Sequence, residues 1–451
     1  MVKLYTAIVC FMLLIPYGTN AQIQGVAPTA YTLQDCIRIA LQQNYDMLLT
    51  NANARYAAAS LTAAFGSYLP SATINASYSR QLTNLRSQFS FINGIPVQGD
   101  PLPNSYSMNA NMSWLIFNGF RREAQYDAAQ SSVDAVEQDV RAQRLVVAYK
   151  VTRAYIEVLR TAQITSVKEE NLSLSKVVLD RVRALYDGGR APVTQVLSQE
   201  TEVANQETAV VQAQNAYEAA KVELLVLMCQ DPTIPAEFEA SSLPSNIDAE
   251  DMAEFRTLIG SEQESVQRAI ASRPDVSAAR YRIESANAGI TSAQAGYMPT
   301  LAANGGYSWS NFELSGFDKQ SRTYVGLTLS VPIFDQFNTN RNIEQAKLQQ
   351  TQNTLDYQRL EQSIQQNVRR AYLQLTAADK NLEIAGRALK PARTSFDAMQ
   401  ERYNVGSASL VEVQQTNAQL VTARINRVAA MYSWLDAQAF VQFATGLFKE
   451  P

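Results

Sequence analysis

Few residues of this chain have the types and spacing that catalysis requires. Histidine, the commonest general base and metal ligand in proteins, is absent. The carboxylates are scattered along helical stretches, where solvated helix faces explain them, and no nucleophile–base set or nucleotide-binding motif is present. The formal net charge is −4, so a nucleic-acid partner has no electrostatic support. The sequence therefore predicts a protein that is not an enzyme and needs no cofactor or resident metal.

The N-terminus, residues 1–21, has the pattern of a secretory signal peptide. Lys3 supplies the positive charge, Leu4–Tyr17 the apolar run and Thr19-Asn20-Ala21 a cleavage site of small residues. The alternative is an N-terminal membrane anchor, which would need a longer apolar run. We therefore expect an exported chain.

Two cysteines lie beyond this segment, Cys36 and Cys229, each beside a long helical region. In an exported protein they can form a disulfide, or they can be two small core residues. The sequence leaves both possibilities open.

One stretch of unusual length sets the scale of the molecule. Phe120–Asp187 contains no Gly or Pro and would form a helix about 100 Å long at about 1.5 Å per residue. Small or apolar residues recur along it at spacings of three, four or seven, as in a coiled coil: Val133, Val136, Val140, Val147, Val151, Ala154 and Val158. Such a helix must pack against others or connect two distant surfaces.

The chain is a tandem duplication. Tyr68 and Asn75 recur as Tyr297 and Asn304, an offset of 229, whereas Tyr155 recurs as Tyr372, an offset of 217. The first repeat, residues 22–228, is predicted to hold a helix from Thr32 to about Gly66, strands 71–90 and 105–117, a long helix 119–187 and a helix 192–228. The second repeat, residues 263–451, is predicted to hold a helix, strands 299–313 and 322–334, a long helix 336–404 and a helix 409–447.

Two further expectations concern the helices. The segment 229–262 should wrap around their middle as a linker, and Gly386 and Pro391 should interrupt the second long helix. Each pair of long helices reverses at a glycine, the usual stop signal of a helix, and these residues form the tips: Gly188, Gly189, Val405 and Gly406. We expect a partner to dock at these tips.

The strands alternate strictly between apolar and polar residues. In the second strand Tyr106, Met108 and Trp114 share one face, and Ser107 and Asn109 lie on the other. A soluble sheet with one wet face would show the same pattern. The long helices offer no layer to cover a sheet, however, so we favour a transmembrane barrel.

Four strands cannot close such a barrel, because known barrels need at least about eight. The chain should therefore assemble with rotational symmetry. Two copies would leave an interior filled by side chains, whereas three copies would give twelve strands and room for a channel. The small polar side chains of the inner face favour the homotrimer.

These features together resemble the TolC-like outer-membrane efflux proteins over essentially the whole mature chain. The resemblance rests on the order and duplication of several short motifs: Thr32–Asn44, Ala269–Asp275, Tyr68-Leu69-Pro70, Tyr297-Met298-Pro299, Trp114–Phe117, Val331–Phe334, Arg402–Gly406 and Leu410–Val413. It implies a mainly α protomer with four strands, which forms a trimeric twelve-stranded outer-membrane barrel continued by a twelve-helix periplasmic tunnel. It also implies a passive exit duct of a tripartite efflux or type I secretion system, partnered by a periplasmic adaptor and an inner-membrane pump.

The resemblance also implies residues at the periplasmic entrance. Glu412 fits the first of the acidic positions that narrow the entrance in this family, where three carboxylates near one axis would attract cations; the alternative is a solvated helix charge. Tyr403 and Thr194 fit hydrogen-bonding positions of the closed entrance. Gln415, Gln195 and Ala408 depart from the family pattern, so the closed-state contacts must differ here.

The leading prediction is therefore an outer-membrane channel that contacts lipid and extends into the periplasm of a Gram-negative cell. The alternative is a periplasmic coiled-coil scaffold or adhesin without a pore. The paired alternating strands argue against the alternative, because a scaffold has no need of them.

Overall fold

A computed structural model describes residues 30–82, 89–92, 95–98, 103–233, 235–244 and 246–448. The signal peptide expected at 1–21 lies outside these ranges. So does part of the connection between the first two strands of the main sheet.

Two helices of equal length dominate the fold, α3 (Arg121–Asp187) and α8 (Asn338–Asn404), each of 67 residues. Each turns back into a shorter helix, α4 (Val193–Leu227) and α9 (Leu410–Thr445) respectively. The interruption expected at Gly386 and Pro391 is wrong, because α8 is continuous through both. Pro391 removes one backbone donor, but Ala385 and Phe396 on either side of it are buried and hold the helix against its neighbours.

Shorter helices complete each repeat. The first repeat begins with α1 (Leu33–Gln43) and α2 (Tyr45–Gly66), and the second with α6 (Glu262–Ser272) and α7 (Pro274–Gln294). The single helix expected from Thr32 to Gly66 is divided at Asn44. This residue is extended, and its side chain accepts a hydrogen bond of 2.9 Å from the amide of Asp46 to cap α2.

The main sheet has four antiparallel strands in the order β1 (Ser71–Arg80), β4 (Asn104–Phe117), β5 (Thr300–Asn311), β6 (Ser321–Ser330). A separate hairpin, β2 (Phe89–Ile92) and β3 (Ile95–Gln98), lies between β1 and β4 in the chain. The first strand is thus shorter than the expected 71–90. Mainly α architecture with a four-stranded sheet matches the predicted fold class.

The sheet has an apolar and a polar face, because directly opposed residues lie on the same side. The face that carries Ser107, Asn111, Asn304 and Tyr324 is called the polar face. The opposite face, which carries Met108 and its neighbours, is called the apolar face. β1 and β6 are the two edges of this sheet.

The long helices run past two different sets of neighbours. Next to the sheet, α2 and α7 pack on α3, and α7 also packs on α8. Towards the tips, α4 and α9 pack on α3, and α9 also packs on α8. The main core lies between the two levels and includes Met47, Tyr155, Leu224 and Val368. Among the described helices, none combines the length and the apolar character needed to cross a bilayer.

The linker covers this core. Its helix α5 (Ala249–Ile259) places Phe255 edge-on against Trp434, with ring centroids 5.9 Å apart. Arg256 of α5 forms an ion pair of 2.7 Å with Asp379 of α8.

Cys36 is fully buried in the core and Cys229 is half-buried, and both thiols are free. Burial raises the pKa of the Cys36 thiol to about 12, which suits a small core residue.

Candidate functional site at the helix tips

Both tips are tight turns that need one residue in the left-handed backbone conformation. Gly189 has φ 70° and Gly406 has φ 80°. The amides that follow close the helix ends, with Arg190 N bonding to Leu185 O at 2.7 Å and Ser407 N to Arg402 O at 2.8 Å. A Cβ atom added at either glycine would meet no atom within 4 Å. The turns are therefore sterically open, and only the backbone conformation requires glycine.

Glu412 is exposed and belongs to the first turn of α9, where it forms a capping box with Ser409. Its carboxylate accepts hydrogen bonds from Ser409 N at 2.7 Å and Ser409 Oγ at 2.8 Å. These bonds hold the pKa of Glu412 below its ordinary range. The residue therefore has a local role in starting the helix, in addition to any role in an entrance.

The Tyr403 hydroxyl and Thr194 form no hydrogen bond with each other among the described residues. Thr194 is exposed. The Tyr403 hydroxyl is buried and has no hydrogen-bond partner among the described residues. Its ring lines a cavity of about 40 Å³ between the two helix hairpins, and the Arg181 guanidinium lies 5.7 Å from the ring centroid.

Polar residues that the sequence analysis missed join the two hairpins beside this cavity. Gln199 is 2% exposed; it donates a hydrogen bond of 3.0 Å to Ser175 O and accepts one of 2.8 Å from Gln414. One layer further from the tip, Asn417 donates to Asn171 at 2.8 Å. These residues occupy stripe positions of the helices, since Gln199 lies between the buried Val196 and Val203. A polar residue in an apolar stripe was the signal that could have revealed them.

One ion pair and one hydrogen bond from an arginine also join the two hairpins. Arg424 of α9 pairs with Glu170 of α3 at 2.9 Å, and Arg181 donates to the Asn404 side chain. Among the described residues, no group of three or more Cys, Asp or Glu side chains could hold a metal ion. The tip is thus a packed junction of two coiled hairpins with polar layers.

Comparisons with known proteins agree with this architecture. The chain is 22% identical over 342 residues to the outer membrane efflux protein BepC of Brucella suis, covering 75% of this chain and 72% of that protein. It is 22% identical over 352 residues to the outer membrane protein TolC of Vibrio cholerae, covering 77% and 76% respectively. Its fold superposes on the outer membrane protein VceC of Vibrio cholerae with a TM-score of 0.74 at 18% identity, over 92% of this chain and 96% of that one.

A family model described as outer membrane efflux protein matches residues 36–229 and 265–447. The two matched parts correspond to the two repeats, and the gap between them falls in the linker. The chain is accordingly an efflux channel of the outer membrane with an extension into the periplasm, and the scaffold or adhesin alternative has no support. On this evidence the chain belongs to the outer membrane efflux protein family.

Proposed function

We propose that three copies of this chain close into one duct, with a twelve-stranded barrel above a twelve-helix tunnel. The single observation that carries this proposal is the open four-stranded sheet, whose edge strands β1 and β6 each expose ten residues to pairing. Long unpaired edges are unstable in isolation, and closure removes them. Pairing of β1 in one copy with β6 in the next removes both edges of the main sheet.

Exposed apolar side chains on the helices support the same assembly. On α2, Tyr45 and Tyr56 are each 77% exposed, and on α8, Leu348 is 62% exposed. Large apolar side chains in this arrangement are typical of surfaces that another protein covers. We therefore place further copies against α2 and α8 at the level below the barrel.

The duct conducts its cargo passively. We propose that a periplasmic adaptor engages the tip turns at Gly188-Gly189 and Val405-Gly406 and connects the duct to an inner-membrane pump. Glu412, Tyr403 and Thr194 would then lie around the periplasmic entrance, where Glu412 carboxylates favour cations. The exposure of both tips supports docking at these turns.

The assembly can be tested with purified protein in detergent. Native mass spectrometry should give three chains per particle, and planar-bilayer recordings should show discrete conductance steps. A particle of one or two chains would contradict the twelve-stranded barrel. Trimers that insert into the bilayer without passing current would contradict the duct.

A further inference from the structure

The polar face of the sheet is nearly uniform in composition. Within β1, β4, β5 and β6 it consists of Ser, Thr, Asn and Gly, apart from Leu115 and Ala302 near one end and two neighbours on β6, Arg322 and Tyr324. In the closed duct this face lines the lumen. Arg322 and Tyr324 are therefore one cation and one aromatic ring among small polar groups.

Tyr324 is held in a defined position by the two strands beside it. Asn111, Gly306 and Tyr324 lie opposite one another across β4, β5 and β6. The Tyr324 hydroxyl donates a hydrogen bond of 3.4 Å to Asn111 Oδ1, so the side chain reaches across Gly306. A Cβ on Gly306 would lie 2.8 Å from Tyr324 Cε1. Gly306 thus makes the space in which the ring lies.

Much of the Tyr324 side chain remains available to a ligand. The residue is 41% exposed although its hydroxyl and one edge are engaged by the sheet. The ring is already fixed by a hydrogen bond and by its contact with the neighbouring strand. It therefore loses little further conformational entropy when a planar molecule stacks on it.

Arg322 precedes Tyr324 by two residues and is also exposed on the polar face. Alternate residues of a strand are about 6.6 Å apart, a separation that one bicyclic aromatic molecule can bridge. Arg80 is the other charged residue of these four strands, and it pairs with Asn104 on the apolar face. Arg322 is therefore the sole charge on the polar face of the four described strands.

We propose that Arg322 and Tyr324 form a luminal binding site for planar aromatic anions such as aromatic carboxylates. The guanidinium binds the carboxylate through its paired N–H donors, and the ring stacks on the aromatic body. This site rests on the proposed duct, because only a closed barrel turns the polar face into a lumen. The trimer then carries three equivalent sites at one height.

The site is tested by titrating trimers in lipid nanodiscs with 2-naphthoate, using empty nanodiscs as the blank. We expect saturable binding that is at least fivefold weaker for cyclohexanecarboxylate, which keeps the charge and lacks the aromatic ring. Arg322→Gln and Tyr324→Ala should each weaken naphthoate binding about fivefold to tenfold. Thr323→Ala, on the opposite face between them, should leave it unchanged.

A second pair of variants tests the position of the ring while leaving both binding residues in place. Gly306→Ala places a Cβ 2.8 Å from Tyr324 Cε1, so the ring must move. This variant should therefore weaken naphthoate binding about as much as Tyr324→Ala. Gly305→Ala is the matched control, because its Cβ would lie 3.6 Å from the nearest atom, an ordinary contact. Heat-stable trimers on electrophoresis verify the assembly of each variant.

Equal binding by wild type, Arg322→Gln and Tyr324→Ala would overturn the site, as would equal binding of the two carboxylates. These results leave the duct intact, since trimer mass and conductance are measured separately. Loss of trimers or of conductance in the wild type would instead overturn the duct and the site together.

Discussion

Tyr155 and Tyr372 occupy equivalent positions of the two repeats, 217 residues apart, and both donate hydrogen bonds to the linker. The Tyr155 hydroxyl donates to Glu239 O at 2.6 Å, and the Tyr372 hydroxyl donates to Gly260 O at 3.0 Å. Both side chains are buried, at 0% and 9% exposure. The duplication therefore preserved a tyrosine at the middle of each long helix, and each now contacts a different part of the same segment.

Replacing either tyrosine with phenylalanine should loosen the linker. Tyr155→Phe removes the hydroxyl and leaves the carbonyl of Glu239 without this donor, so we expect a loss of about 1–2 kcal/mol in unfolding free energy. Tyr372→Phe should lose a similar amount, since its hydroxyl also contacts Ser265 Oγ at 2.9 Å. Limited proteolysis should cut both variants faster within 229–262.

The matched control is Tyr432→Phe, because Tyr432 is 7% exposed and its hydroxyl has no hydrogen-bond partner among the described residues. If Tyr155→Phe and Tyr432→Phe are equally stable and equally resistant to protease, the linker does not depend on these hydroxyl groups.

Two variants of Glu412 separate the effect of its charge on the channel from the effect of helix capping. Glu412→Gln keeps a side chain that can complete the capping box and removes the carboxylate, whereas Glu412→Ala removes both. We expect Glu412→Gln to lower the cation preference of the channel, measured as the reversal potential in a salt gradient. Glu264→Gln is the control, because Glu264 forms the same capping box with Ser261 far from the tip. Unchanged selectivity in Glu412→Gln would remove this residue from the entrance.

The cation preference of the channel should depend on pH through the Glu412 carboxylate. Hydrogen bonds from Ser409 lower the folded-state pKa of Glu412 below its ordinary value of 4.5. Its charge and its capping contribution are therefore present above that value and disappear only as the pH falls through the lowered pKa. Cation preference should persist at pH 4.5 and decline below it. A midpoint above 4.5 would mean that repulsion between neighbouring carboxylates outweighs the Ser409 bonds.

A Cβ atom at the tip glycine Gly406 would meet no atom within 4 Å. Gly406→Arg should leave trimers in the membrane and reduce efflux at least tenfold, because a large charged side chain then stands at the proposed docking surface. Gly316→Arg is the matched control: Gly316 has φ 69°, close to the 80° of Gly406, but lies between β5 and β6 at the other end of the molecule. Both variants carry the same backbone cost. Equal efflux in both would place the docking surface elsewhere.

Phe120 and Phe337 are strained at the start of the two long helices, with φ 67° and φ 63°. Each ring packs edge-on against the phenylalanine three residues earlier, at centroid distances of 5.4 and 5.6 Å. Phe120→Gly and Phe120→Ala both remove the ring, but only glycine adopts a positive φ without cost. We expect the glycine variant to be more stable than the alanine variant by about 1 kcal/mol in thermal unfolding. The reverse order, normal inside a helix, would contradict the left-handed conformation.

The long helices and alternating strands could be predicted because their signals are local and periodic. Absence of Gly and Pro from 121–187 permits one helix, and the period of two along 105–113 requires two unlike faces. The duplication appears in the sequence because both repeats preserve residues at their junctions. The contacts of the proposed entrance residues were harder to predict, because the contact between Glu412 and Ser409 depends on the conformation of one helix end.

Other features depend on residues that are distant in the sequence, and only the tertiary structure decided them. Pro391 is tolerated because packing on both sides compensates for one missing hydrogen bond, which the sequence of α8 alone does not reveal. Gln199 meets Gln414 across 215 residues, and Tyr324 reaches Asn111 across 213. Periodicity determines which side of a helix or strand is polar. Which polar side chains meet depends on how the two repeats pack, because that packing sets the register between residues on different elements.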